Sequence, residues 1–181
     1  MKWKRAFFAL AGFVLALSSV PVRSQDRGAE RKEEEQDIFA LVIRNQMERW
    51  IQEGDKNEAE AKSDADKSIA RSLNFRVFFV SIRGKDPSDD FIKRFDDVPR
   101  TVRKISSEDP AKGPPHTPVD RSTHQTGIIF SADSIRWLGT DHAKVESGYY
   151  CGGLCAAGII FILQREKGKW VIKNSSMNWI S

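Results

Sequence analysis

The stretch YYCGGLCA, residues 149–156, decides the fold, because it predicts a tight β-hairpin in the last third of the chain. Residues 152–154 fit a three-residue loop in which the two glycines supply the positive-φ backbone that such loops need. Cys151 and Cys155 then lie directly opposite each other, with Cβ atoms roughly 4.5–5.5 Å apart, close to disulfide reach.

Extending this register away from the loop gives two faces of different character. One face is apolar and suits a core, and the other leaves two glycines for Tyr150 to cover. The predicted pairs are Tyr149 with Ala157, Ser147 with Ile159, Val145 with Phe161, Tyr150 with Ala156, and Gly148 with Gly158.

The two cysteines admit three interpretations. Nearby thiols usually pair in an oxidising compartment, which favours a structural disulfide between Cys151 and Cys155. Two unpaired thiols are the second interpretation, because so small a ring adds little loop-closure stability. A metal or redox site is the third. Metal sites need about four ligands, however, only His142 lies nearby, and the spacing is not the C-x-x-C of thiol oxidoreductases.

Around the hairpin, the last third of the chain predicts a series of strands joined by short turns. Helical segments come before these strands, and that order predicts an α+β fold, with N-terminal helices packed on a curved, mainly antiparallel C-terminal sheet. The predicted strands cover residues 127–138 (one strand, or two with a break near Ser131), 142–151, 156–165 and 170–180.

A helix is predicted from Ile38 to about Gln52, with Gly54 as its end. Apolar residues recur in it at three- and four-residue steps and form one core-facing stripe. Residues 57–72 contain helix-forming residues but a poor apolar face, so a surface helix and a flexible insertion both stay open. The stripe consists of Phe39, Val42, Ile43, Met47 and Trp50.

The middle of the chain predicts a buried strand at 75–82 and a short helix that begins near Asp86. Asp86 is a candidate cap, and Pro87 suits the first helical position. Asp89 and Asp90 follow in the first turn, where carboxylates favour the positive end of the helix dipole, and this use is preferred over a metal or acid–base role.

The chain divides into three parts in this interpretation. Residues 1–24 form a signal peptide, 25–36 a charged flexible leader, and 37–181 a single α+β domain. Four of the six prolines beyond the signal segment lie within residues 107–124, which predicts a long loop or mobile flap there.

The first 24 residues have the order of a secretory signal peptide. Basic residues occur within the first five positions, an apolar run covers residues 6–20, and short side chains precede a cleavage site near Ser24. The apolar run would span about 22 Å as a helix, less than the roughly 30 Å of a membrane core. We therefore expect a protein that is exported and then periplasmic or secreted, without a transmembrane span in its mature form.

Removal of that segment changes the charge argument. It holds four of the 29 Lys and Arg residues and none of the 25 Asp and Glu residues, so the remaining chain carries 25 of each. The sequence pI of about 9.1 therefore belongs mostly to the targeting segment. Nucleic-acid binding requires a basic excess on the folded part, so no nucleic-acid partner is expected.

The hairpin GYYCGGLCAAG at 148–158, followed by GKWVI at 168–172, resembles the C-terminal ends of small exported bacterial proteins of unknown function. A looser resemblance is to the cone-shaped α+β fold of nuclear-transport-factor-like proteins, which also place helices first and often end in a hairpin with a Gly-Lys-Trp turn. This second resemblance implies a curved sheet with a cavity for a small molecule. It carries over no catalytic residue, and the Pro-rich loop departs from it.

Two classes of function stay open. The absence of a recognisable nucleophile, phosphate loop or metal cluster favours a non-catalytic domain that binds a small ligand or has an interaction role, with no catalytic residue, cofactor or metal. The alternative is a small cavity enzyme of the hydrolase or isomerase type. Its candidate pocket residues are Asp133, His142, Tyr149 and Tyr150.

Overall fold

The computed structural model describes residues 23–109 and 117–181, so the predicted signal peptide lies almost wholly outside the described residues. Within these residues the fold has three α-helices, one short 3-10 helix at Ile105–Ser107 and six strands. The helices are α1 (Arg23–Glu60), α2 (Asp64–Leu73) and α3 (Asp89–Lys93). The strands are β1 (Val77–Ile82), β2 (Thr101–Lys104), β3 (Gly127–Trp137), β4 (His142–Gly152), β5 (Cys155–Glu166) and β6 (Lys169–Ile180).

The strands form one six-stranded sheet in the order β2-β1-β3-β4-β5-β6. From β3 to β6 each strand runs antiparallel to the next, whereas β1 lies parallel to both β2 and β3. The predicted α+β class and the antiparallel C-terminal strands are confirmed. Among the described residues, no helix is long and apolar enough to cross a membrane.

Helix α1 packs its apolar stripe on one face of the sheet, which we call the inner face. The predicted stripe residues Phe39, Val42, Ile43 and Met47 are fully buried. They meet buried side chains of β1 and β3 to β5, which alternate along each strand as a half-buried sheet requires. These are Phe78, Val80, Ile128, Phe130, Ala132, Ala143, Val145, Cys151, Phe161 and Leu163.

Helix α1 does not end at Gly54 but continues to Glu60. Gly54 is buried against Asn74, and a Cβ built on it would lie 2.7 Å from Asn74 Oδ1. Close packing with the residue that ends α2 therefore explains this glycine. Residues 57–72 finish α1 and then form α2, whose N-cap Ser63 makes a reciprocal capping box with Asp66.

The predicted cap of α3 is also corrected. Ser88 caps this helix, because its Oγ accepts a hydrogen bond from the Phe91 amide. Asp86 instead accepts a hydrogen bond from the amide of Ser106, at 2.8 Å. Asp89 and Asp90 do lie in the first turn of α3, as predicted.

The predicted leader at residues 25–36 belongs to α1 in the structure. Glu34 connects this part of the helix to the far end of the sheet: it accepts a hydrogen bond from Trp170 Nε1 at 2.9 Å and forms an ion pair with Arg165. The Arg31 guanidinium lies 3.6 Å from the ring centre of Trp137, which itself packs edge-on against Trp170. Long-range polar contacts thus replace the apolar stripe that this segment lacks.

We expect Glu34→Ala to destabilise the protein by about 1.5 kcal/mol, because it leaves Trp170 and Arg165 without their shared acceptor. Hydrogen exchange of residues 28–36 should accelerate at the same time, since the segment loses its anchor. Glu33→Ala is the matched control, because Glu33 is exposed and forms no ion pair within the described part of the chain. Equal exchange in both variants would contradict the anchoring role.

The two described ends of the predicted 107–124 loop are held together at Asp120. Glu108 and Asp120 form a β-bridge, as do Val119 and Thr126. Asp120 is fully buried. Its Oδ1 accepts from the amides and the hydroxyls of Ser122 and Thr123 at 2.6–3.1 Å. The remainder of the predicted flap, residues 110–116, lies outside the described residues.

Candidate functional site

A half-open cavity of about 470 Å³ lies between the C-terminal half of α1 and the inner face of β4, β5 and β6. We call it the helix–sheet cavity. Its helix wall comes from positions spaced by three and four residues, so the side chains share one face of α1. The lining residues are Gln46, Arg49, Trp50 and Glu53 from the helix, and Tyr149, Ile159 and Ser175 to Met177 from the sheet.

A chain of hydrogen bonds fixes the orientation of the Gln46 amide. Ser147 Oγ donates to the backbone carbonyl of Ser131, and it lies 2.8 Å from Gln46 Nε2. Because the single hydroxyl proton is used, Ser147 must accept from Gln46, which places Nε2 on that side. Gln46 Oε1 is consequently a buried acceptor with no hydrogen-bond partner among the described residues, on a side chain that is 3% exposed.

Aromatic rings stiffen one wall of the cavity. Trp50 meets Tyr149 edge-on, with ring centres 5.2 Å apart, and also packs against Phe75 at 5.9 Å. Tyr149 pairs with Ala157 in the sheet, and the small partner leaves room beside the tyrosine ring. The wall therefore has a defined shape and offers mainly apolar surface to a ligand.

Two opposite charges lie at the rim. Arg49 and Glu53 are exposed and one helical turn apart, and neither forms an ion pair within residues 23–109 and 117–181. The cavity thus offers an apolar body, and both a cation and a carboxylate at its mouth. That combination suits an amphipathic organic molecule that carries a hydrogen-bond donor.

Three of the four predicted pocket residues, Asp133, Tyr149 and Tyr150, line one recess of the sheet, and His142 does not. Tyr149 lines the helix–sheet cavity, whereas Tyr150 faces the other side of the sheet. Asp133 is exposed in β3, where its carboxylate accepts from Ser131 Oγ at 3.0 Å. His142 opens β4, and its Nδ1 lies 3.0 Å from the carboxylate of Asp141. Asp133 and His142 line neither one common pocket nor the helix–sheet cavity.

The hairpin register is confirmed at all five predicted pairs, but its loop is shorter than predicted. Gly152 belongs to β4 and pairs with Cys155, so only Gly153 and Leu154 form the turn. Gly152 has φ near +151°, which glycine adopts without a Cβ clash. The register shift places Cys151 off the direct opposite position.

The two cysteines nevertheless lie within disulfide distance, with Cα atoms 5.2 Å apart. Cys151 is 5% exposed and belongs to the hydrophobic core. Within the described ranges, no three His, Cys, Asp or Glu side chains come together as ligands for a metal ion. The structure therefore places the two cysteines at disulfide distance beside the hydrophobic core.

The polar residues of the cavity were not predicted from the sequence. Gln46, Arg49 and Glu53 lie on a helix that was interpreted only as a core-facing element. One signal was present: Gln46 lies on the apolar stripe, four residues from both Val42 and Trp50. A polar side chain at such a buried position costs free energy unless it is hydrogen-bonded. Arg49 and Glu53 have no comparable signature, because charged residues are ordinary on the exposed side of a helix.

Comparison with models of protein families, with curated proteins and with solved structures found no match for this chain. A proposal for the function therefore rests on the helix–sheet cavity and the residues that line it.

Proposed function

We propose that this protein is a non-catalytic exported domain that binds a small amphipathic ligand in the helix–sheet cavity. The aromatic wall of Trp50 and Tyr149, beside the exposed charges of Arg49 and Glu53, carries this proposal. The lining then explains the ligand class: an apolar body against Trp50 and Tyr149, with polar groups towards the rim.

The rim supports a ligand with an ionised group. Arg49 provides a guanidinium that forms bidentate hydrogen bonds with carboxylate or sulfonate oxygens. Glu53, one turn further, accepts from a second donor on the ligand. The cavity offers no His–Asp pair to a substrate, since Asp133 and His142 lie elsewhere, so the observations favour binding over the alternative of a cavity enzyme.

We expect 8-anilinonaphthalene-1-sulfonate, an aromatic anion with an N–H donor, to bind the folded protein saturably. Ser175→Phe should weaken this binding about tenfold or more, because Ser175 lines the cavity and a phenyl ring would fill it. Arg49→Met should weaken it by a smaller factor through loss of the ion pair. Fluorescence titration of the purified mature protein measures all three affinities.

Asn174→Phe is the matched control. Asn174 precedes Ser175 on the same edge strand and pairs with Ile162, whereas Ser175 pairs with the core residue Phe161, so the two side chains face opposite sides of the sheet. The control should retain wild-type affinity. Equal loss in both variants, or probe binding only to thermally disordered protein, would contradict the proposed site.

A further inference from the structure

A second recess, of about 270 Å³, lies on the opposite, outer face of the sheet. No residue of α1 lines it, and it shares only Tyr149 and Ile159 with the lining of the helix–sheet cavity described above. Its floor is the glycine pair Gly148 and Gly158, which face each other across β4 and β5. Tyr150, Asp133, Glu146, Asn178 and Trp179 surround the floor.

Trp179 lies flat on this floor. A Cβ built on Gly158 would be 2.2 Å from Trp179 Nε1 and 2.7 Å from each of the two carbons bonded to that nitrogen. The two carbons are equally far from this Cβ and only 0.5 Å farther than Nε1. The Cβ therefore lies above the plane of the indole ring at Nε1, not in that plane beyond the N–H bond. One face of the indole therefore covers Gly158, and the opposite face is directed to solvent, with 52% of the residue exposed.

Close packing favours glycine at both floor positions. A Cβ on Gly148 would lie 2.6 Å from the carbonyl oxygen of Ala157. The absence of a side chain at Gly158 lets the indole lie parallel to the sheet, so the recess presents a flat aromatic surface of the kind that stacks on another flat, apolar face.

Hydrogen-bonding groups surround this aromatic surface. The carboxylate of Asp133 is exposed and keeps acceptor capacity beyond its bond from Ser131. Glu146 accepts from Ser134 Oγ at 3.1 Å and lies 3.4 Å from Lys144 Nζ, which balances its charge. Asn178 and the Trp179 N–H make no hydrogen bond among the described residues. Acceptors and donors thus stand beside one open ring face.

We propose that this outer recess binds a β-linked hexopyranose chain. A pyranose ring with equatorial hydroxyls presents C–H groups on its face and hydroxyls around its edge. The C–H face matches the electron-rich outer face of Trp179, and the edge hydroxyls match the carboxylate of Asp133 and the amide of Asn178.

Titration of the full mature protein with chitotriose and with cellotriose, followed by NMR of the indole N–H signals, tests the proposal. At least one of these two sugars should give saturable shifts of the Trp179 signal. Trp179→Ala should weaken binding about tenfold or more, and Asp133→Ala several-fold. Leu154→Ala is the control, because Leu154 is a 92% exposed apolar residue at the hairpin turn, outside the recess, and it should retain full binding.

Three results would overturn the proposal. The first is the absence of saturable shifts with either sugar. The second is unchanged affinity in folded Trp179→Ala, as judged by its circular dichroism. The third is concentration-dependent self-association that Trp179→Ala abolishes while no sugar binds, which would assign the recess to a protein interface. None of them bears on the helix–sheet cavity, whose probe and variants are different.

Discussion

Asp120→Ala is expected to lower the free energy of unfolding by about 3 kcal/mol at neutral pH, because it removes a buried carboxylate that accepts hydrogen bonds and forms an ion pair. The carboxylate is fully buried, and its Oδ2 lies 2.7 Å from Arg103 Nε. Its other oxygen holds the donors of Ser122 and Thr123. The alanine variant leaves these donors and the Arg103 charge without their acceptor. Urea denaturation measures the loss.

The same carboxylate makes stability depend on pH. Burial would raise the pKa of Asp120, but hydrogen bonds from Ser122 and Thr123 outweigh it and lower the pKa from 3.8 to about 2. A group with a lowered pKa contributes its stability above the unfolded-state value, near pH 3.8, and loses it as the pH falls through the folded-state value, near pH 2. The full contribution is about 2 kcal/mol.

Asp120→Asn separates charge from shape. The amide retains an acceptor for Ser122 and Thr123 but not the charge opposite Arg103, so we expect it to be less destabilised than Asp120→Ala at pH 7. The difference in stability between wild type and Asp120→Asn should shrink between about pH 5 and pH 2, because only the wild type loses a charge at this site. A difference that stays constant over that range would refute the assignment.

Gly148→Ala is expected to destabilise the protein by about 2–3 kcal/mol, whereas Gly158→Ala should cost less than about 1 kcal/mol. The two glycines pair with each other, but their obstacles differ. At Gly148 the added Cβ meets backbone, the Ala157 carbonyl oxygen in the middle of the sheet. At Gly158 it meets the half-exposed ring of Trp179, which can move away.

Thermal unfolding of the two alanine variants measures this contrast, and the sugar titration adds a second readout. Gly158→Ala should keep the fold but lose saccharide binding, because the indole can no longer lie flat. Equal destabilisation by the two substitutions would show that the Trp179 ring is as fixed as the backbone, contrary to its exposure.

The hairpin shows what local pattern is able to predict. Alternation and residue size specified the register of β4 with β5, and all five pairs are observed. The predicted turn length was wrong because Gly152 and Gly153 can both adopt a loop conformation. Only the pairing of Gly152 with Cys155 shows that Gly152 belongs to the strand. The N-cap of α3 was ambiguous for the same reason. Asp86 and Ser88 both suit an N-cap, and Ser88 takes this role because Asp86 accepts a hydrogen bond from Ser106 instead.

Features that depend on distant partners were not predictable. Residues 25–36 have no apolar stripe, and what holds them is a contact between Glu34 and Trp170, 136 positions away. The parallel pairing of β1 with β2 and β3 is likewise a choice of partner that the strand sequences do not encode locally. The helix–sheet cavity was not predictable for the same reason, because the hydrogen bond that orients Gln46 is made with Ser147, which is distant in sequence.

The register shift near the end of β6 has a consequence for both binding surfaces. Met177 pairs with Ile159 and Trp179 pairs with Gly158, so Asn178 is an extra residue between them. In a regular strand without this bulge, residues 177 and 179 would point to the same side of the sheet. The bulge at Asn178 places Met177 and Trp179 on opposite sides of the sheet. The edge strand β6 therefore contributes Met177 to the helix–sheet cavity and Trp179 to the outer recess.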